Sequence, residues 1–188
     1  MELSEFLESL GERAAMFKEY KRQQEAFCRQ LSGELVEFFY AKDKAYMAHR
    51  GVTEKAIKEI AQRYAIDVLE SLNLVEYRQR EGLPGKKENA VPKLKTKAES
   101  EKEFEAILHL IPPENLEYAK QVHWESFEEQ QEHDTFLLDI HRIMKKVLAD
   151  CYQDSILALD SEYLRLLDSY IYTTAYSFAD ECFEILEV

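Results

Sequence analysis

The chain has 188 residues, of which 46% are hydrophobic, and a formal net charge of −13. This length fits one domain with a real core, and the acidity disfavours binding to nucleic acid or to anionic membranes. Five glycines and four prolines are too few for a turn-rich β fold, and no apolar run approaches the roughly 20 residues of a membrane span.

A long apolar stripe runs through the first fifty residues. Its register survives Gly11 and Gly33 and is interrupted only by Lys21 and Gln24. The members recur at alternating spacings of three and four: Leu3, Leu7, Leu10, Ala14, Phe17, Cys28, Leu31, Leu35 and Phe38. The pattern predicts one long helix, straight or kinked at 32–33. Neighbouring aromatic side chains widen the stripe, which favours packing within the chain; a coiled-coil dimer seam is the alternative.

A second helix is predicted after a break at Gly51. Thr53 is a good N-cap, and the helix should run to about Arg80. One face of it is apolar: Ile57, Ala61, Tyr64, Val68 and Leu72.

The clearest loop follows, at about 82–98, and it is the basic part of the chain. From 78 to 97 there are seven Lys or Arg residues against two Glu, so this stretch carries +5 and the remainder −18. The sequence favours a mobile loop over an acidic body. A docking segment for an anionic partner, with Lys86 and Lys87 in it, is the alternative.

Helices are predicted to resume near Thr96, where 96–99 and 100–103 both have the spacing of a capping box. Pro112 and Pro113 should end this short helix. The next should run from about Glu114 to about Leu157, with a candidate bend at 134. The last begins at 160 or 161, and its wide apolar stripe is typical of a buried helix.

Histidines and carboxylates concentrate between His123 and His141. On a helix of about 100° per residue, His133 falls at the centre of the apolar stripe, and Glu129 lies one turn earlier on the same side. His123 and His141 fall at its boundary. Burying either central group unpaired is costly, so we predict an inward-facing pair. It would be a hydrogen-bonded core pair or, alternatively, a metal or acid–base site; the third alternative is that this turn is simply exposed.

Two tyrosines of the last helix, Tyr172 and Tyr176, lie on the far side from its apolar stripe. An aromatic interface with a partner is plausible there. With Lys86 and Lys87 they are the predicted partner-binding residues.

Three distant cysteines, Cys28, Cys151 and Cys182, favour reduced thiols, and the acidic amphipathic start is unlike a secretory signal. A cytoplasmic location is therefore expected. No phosphate-binding glycine loop or nucleophile elbow occurs in the sequence.

These patterns together predict an all-α fold. It would be a single domain over 1–188, a bundle of five or six helices with a long N-terminal helix and a buried C-terminal helix. The leading functional hypothesis is a non-enzymatic protein-binding module without cofactor: an adaptor, a regulator or an immunity-type inhibitor with an acidic face. Its partner would be a basic protein or a second copy of the chain. The alternative is a hydrolase dependent on a divalent metal held by Glu129 and His133.

Overall fold

The fold is known from a computed structural model that describes residues 2–42, 53–85 and 91–187. Within these ranges the chain is helical, with no strand, which confirms the predicted all-α fold. The helices are α1 Leu3–Lys42, α2 Glu54–Arg80, α3 Lys97–Ile107, α4 Leu116–Cys151, α5 Gln153–Leu157 and α6 Ser161–Glu187, with 3₁₀ turns at Leu108–Leu110 and Pro113–Asn115.

Four of these helices build an antiparallel bundle. The C-terminal halves of α1 and α4 pack together with α2 and α6, and α1 and α6 each lie against both α2 and α4. Phe27 of α1 meets Tyr152 just after α4, whereas Phe39 meets Phe136, so these two helices run in opposite directions. The core consists of fully or nearly fully buried side chains, among them Phe27, Leu31, Leu35, Ile57, Leu69, Leu72, Ile140, Met144, Leu148, Ile171 and Phe178.

Local signals place the ends of α2. The Thr53 hydroxyl accepts a hydrogen bond from the Ala56 amide at 3.2 Å, as the predicted N-cap should. At the other end Gly82 adopts a φ of +66°, a left-handed conformation that favours glycine. The Gly82 and Leu83 amides donate to the carbonyls of Gln79 and Arg78 at 3.1 and 2.9 Å, which closes the helix with a Schellman motif.

The predicted helix from about Glu114 to Leu157 is interrupted. It begins at Leu116 and ends at Cys151, because Tyr152 leaves the helical conformation with φ −128° and ψ 42°. The short α5 then leads to α6. No break occurs at Asp134, the candidate bend, where α4 is continuous.

Two helical segments extend beyond the bundle, one from each end. We call residues 3–24 of α1 the N-terminal arm, because the buried side chains of α1 begin only at Phe27. The first twenty residues of α4 project from the opposite end, since buried residues of α4 begin at Phe136, and they carry α3.

The N-terminal arm does not pack within the chain as the sequence favoured. Its large apolar side chains are 44% to 74% exposed, although the stripe predicted them to be covered. We call these residues the arm face: Leu3, Phe6, Leu7, Leu10, Met16, Phe17 and Tyr20. The expectation of intramolecular packing is therefore wrong for this half of α1 and correct for the half that begins at Phe27.

Candidate functional site

The predicted inward-facing pair of Glu129 and His133 is not formed. Glu129 is exposed, and the His133 side chain is 41% exposed. The His133 ring stacks on Phe183 with centroids 6.0 Å apart, and its Nδ1 lies 3.5 Å from Asp134 Oδ1. The prediction failed because this turn lies at the end of the bundle, where Phe183 of α6 covers only part of the face.

The described residues give the metal alternative no assembled ligand set. No group of three His, Cys, Asp or Glu side chains within 2–42, 53–85 and 91–187 is arranged to hold a metal ion. The carboxylate in contact with His133 is that of its chain neighbour Asp134.

The predicted partner-binding tyrosines differ in exposure. Tyr176 is 50% exposed, whereas Tyr172 is half-buried, with its ring edge-on to that of His141 at 5.6 Å. Burial, together with the carboxylate of Asp134, raises the pKa of Tyr172. Tyr176 is thus the more accessible of the two.

Lys86 and Lys87, the other predicted contacts, lie outside the described residues. The start of the basic loop is described, and it docks on α6. The Tyr163 hydroxyl donates to the Leu83 carbonyl at 2.6 Å, and the Gly85 amide donates to Glu162 Oε1 at 2.8 Å. Residues 83–85 are therefore anchored rather than loose.

The buried histidine of α4 is His141, which the sequence placed at the edge of the stripe. It is 5% exposed, and its Nε2 lies 3.1 Å from the Asp168 carbonyl oxygen and 3.3 Å from Asp168 Oδ1. Lys145 Nζ lies 2.6 Å from the same Oδ1. Burial lowers the pKa of His141, while the hydrogen bond and charge of Asp168 oppose that effect. This cluster joins α4 to α6.

A small apolar cavity of about 260 Å³ lies beside this cluster, between α4, α5 and α6. Its rim carries Lys145, Arg165 and Asp168. The walls are Leu148, Ala149, Ile156, Leu164, Leu167 and Ile171. The ion pair of Lys145 with Asp168 links α4 to α6, whereas Arg165 donates to the Ser161 carbonyl of its own helix.

A second histidine, His123, fixes α3 to the projecting part of α4. Its Nε2 lies 3.1 Å from Ser100 Oγ, and its ring lies 4.7 Å from that of Phe104. Ser100 and Phe104 are both buried. Because both side chains are buried, this contact serves to pack α3 against α4.

The arm face is the largest set of exposed apolar side chains on one helix segment of the described chain. Charges are unevenly distributed along the same segment. Residues 2–12 contain four Glu and no Lys or Arg, whereas residues 13–24 contain four Lys or Arg and one Glu. Soluble proteins seldom leave a contiguous apolar patch uncovered unless it serves an interaction. The arm face is therefore the candidate functional site. The sequence did indicate this site, because the apolar stripe of the first helix left a coiled-coil dimer seam as an alternative.

No family model, curated protein or solved structure matches the chain. The choice of the arm face as the candidate site therefore rests on the structure alone. None of the described helices is long and apolar enough to cross a membrane.

Proposed function

We propose that the protein is a helical protein-binding module whose N-terminal arm docks against a helix of its partner. The observation that carries the proposal is the exposure of seven large apolar side chains on one helix segment. Helix-to-helix recognition uses such a face, with anchors three and four residues apart. Leu3, Leu7, Leu10 and Phe17 have this spacing.

The energetics of the arm support a bound state. An isolated helix is marginal in water because its stability normally comes from packing of the apolar face. The arm has that face but little cover for it, so docking would both bury apolar area and hold the helix together. Burial contributes about 25 cal/mol for each Å² of apolar surface removed from water.

The bundle has the role of a scaffold in this proposal. Its negative charge would speed association with a basic partner through long-range attraction, and Tyr176 would be a secondary contact. A cytoplasmic location and the absence of enzymatic activity belong to the same proposal, which makes the protein an adaptor or a regulator rather than a hydrolase.

Cross-linking with mass spectrometry in the native cell lysate tests the proposal, because Lys18 and Lys21 lie on the arm itself. We expect cross-links from these lysines to another polypeptide, and their loss in a variant carrying Leu7→Glu and Phe17→Glu. A matched control carries Leu110→Glu and Tyr118→Glu, at positions 70% and 73% exposed at the other end of the molecule.

The control should retain the cross-links because it leaves the arm unchanged. An isotope-labelled second copy of the chain distinguishes links between copies from links within one molecule. If the wild-type arm lysines link neither to a different protein nor to the labelled copy, the arm binds nothing and the proposal is wrong.

A further inference from the structure

We infer that the partner of the arm is the arm of a second copy of this chain, aligned antiparallel to it. The inference rests on the proposed function and names its partner. Three observations carry it: the separation of charge along the arm, the position of one lysine in the apolar seam, and the match between apolar side chains in this orientation.

Charge separation makes the arm complementary to itself when reversed. The half at 2–12 is purely acidic and the half at 13–24 has a net charge of +3. An antiparallel pair places each acidic half beside a basic half. A parallel, in-register pair would place acidic beside acidic and basic beside basic, which is repulsive along the whole contact.

The position of Lys21 also favours the antiparallel orientation. It occupies the seam defined by Leu7, Ala14 and Cys28, at the spacing of seven residues. In a parallel pair Lys21 would face the partner's Lys21 within an apolar layer. In the antiparallel pair it faces the start of the partner's arm, where the partner's Glu2 and the partner's Glu5 are available to its ammonium group.

The apolar side chains fit the antiparallel alignment. When Leu10 lies opposite the partner's Ala14, Leu7 lies opposite the partner's Phe17, and both of these layers combine a larger with a smaller side chain. The same alignment brings Phe6 towards the partner's Tyr20 at the flank. Gly11 falls near the two-fold axis, where a Cβ would meet no atom of its own chain within 4 Å.

Sedimentation velocity of the purified chain across a concentration series tests whether the second copy is the partner. We expect a monomer–dimer equilibrium, and a dissociation constant at least about 100-fold higher for Leu7→Glu with Phe17→Glu, because each change buries unpaired charge in the seam. The control with Leu110→Glu and Tyr118→Glu should match the wild type.

A wild-type chain that stays monomeric throughout the series would overturn the inference. The proposed function fails separately, only if the lysate cross-links are also absent. A monomer whose arm lysines cross-link to a different protein would overturn the second copy as partner and leave the binding module standing.

Charge inversion tests the electrostatic argument. Glu5→Lys with Glu8→Lys should weaken the dimer about tenfold, because the half at 2–12 changes from a charge of −4 to 0 and loses its attraction for the partner's basic half. In a parallel dimer the same change removes the repulsion between two acidic halves, so an unchanged or lower dissociation constant would overturn the orientation. Glu101→Lys with Glu105→Lys on α3 is the control of equal charge.

Disulfide trapping reads the orientation directly. In a background of Cys28→Ser and Cys151→Ser, chains with Ser4→Cys are mixed with chains with Lys18→Cys and oxidised. The antiparallel pair brings these two positions together, so we expect the mixed disulfide dimer and little dimer from either variant alone. Efficient dimerisation of the Ser4→Cys variant by itself would show a parallel pair and overturn the inference.

Discussion

The two halves of α1 have the same apolar stripe and opposite surroundings. The C-terminal half contributes side chains that are at most 2% exposed, namely Phe27, Leu31, Leu35 and Phe39. The side chains of the arm face, in the N-terminal half of the same helix, are 44% to 74% exposed. The difference arises because α4 ends beside Phe27, where Tyr152 turns the chain away. Periodicity thus shows which face of a helix is apolar, and the lengths of neighbouring helices decide whether anything covers it.

The largest expected effect is a difference in stability between two variants, each with one aromatic residue truncated in one half of α1. Phe27→Ala should reduce the free energy of unfolding by about 3–5 kcal/mol, because it leaves a cavity in the core. Phe17→Ala should change it by less than about 0.5 kcal/mol in dilute, dissociated protein. Urea denaturation measures both. Equal losses would show that the arm is packed in solution and would remove the contrast.

The projecting part of α4 offers an intermediate case, since α3 packs on it through Phe104 and His123. Phe104→Ala should reduce the free energy of unfolding of this segment by about 3 kcal/mol and act locally, loosening α3 while the bundle stays folded. Hydrogen exchange should therefore accelerate in Lys97–Ile107 and remain unchanged in α2. Ile107→Ala, at an exposed position of the same helix, is the control. Faster exchange across the whole bundle would mean that this segment is part of one cooperative unit.

Acid should destabilise the bundle through His141, which is buried between α4 and α6. The pKa of His141 is lowered below its ordinary value of 6.5 by burial, so in the folded state the imidazole resists protonation. Below about pH 6.5 the unfolded chain binds the proton first, and the free energy of unfolding falls as the pH falls. This contribution is fully present above that pH.

Urea denaturation between pH 7.5 and pH 5.5 checks the sign. His141→Gln should give a shallower loss of stability with acidification than the wild type, whatever its stability at neutral pH. Leu110→Ala, at a position 70% exposed and without a titratable group, should follow the wild-type slope. Identical slopes for all three would mean that His141 is not the buried group that titrates.

The smallest effect is expected at Glu129, the residue once predicted to face inwards. Because it is exposed, Glu129→Gln should change the free energy of unfolding by less than about 0.5 kcal/mol. A double-mutant cycle with His133→Gln should show no coupling between the two. A coupling above about 1 kcal/mol would restore the predicted pair.

Sequence reasoning succeeded where the signal is local. Thr53 and Thr96 were predicted as N-terminal signals, and both hydroxyls accept the amide three residues on. It failed where the environment changes along a helix. A single helical wheel averages α4 over its whole length, so it centred the buried face on His133, whereas the contact with α6 buries His141 instead. No pattern indicated that Tyr152 would end the helix.

The continuity of α1 has a consequence for how far apart bound partners stand. Forty residues in one helix make a rod, and the 22 residues of the arm add about 33 Å at 1.5 Å per residue. A continuous helix fixes both the length of the arm and its rotation about the helix axis, since each residue inserted between arm and bundle would turn the arm by about 100°. In the proposed dimer, the length of the arm would therefore set the distance between the two bundles and their relative orientation.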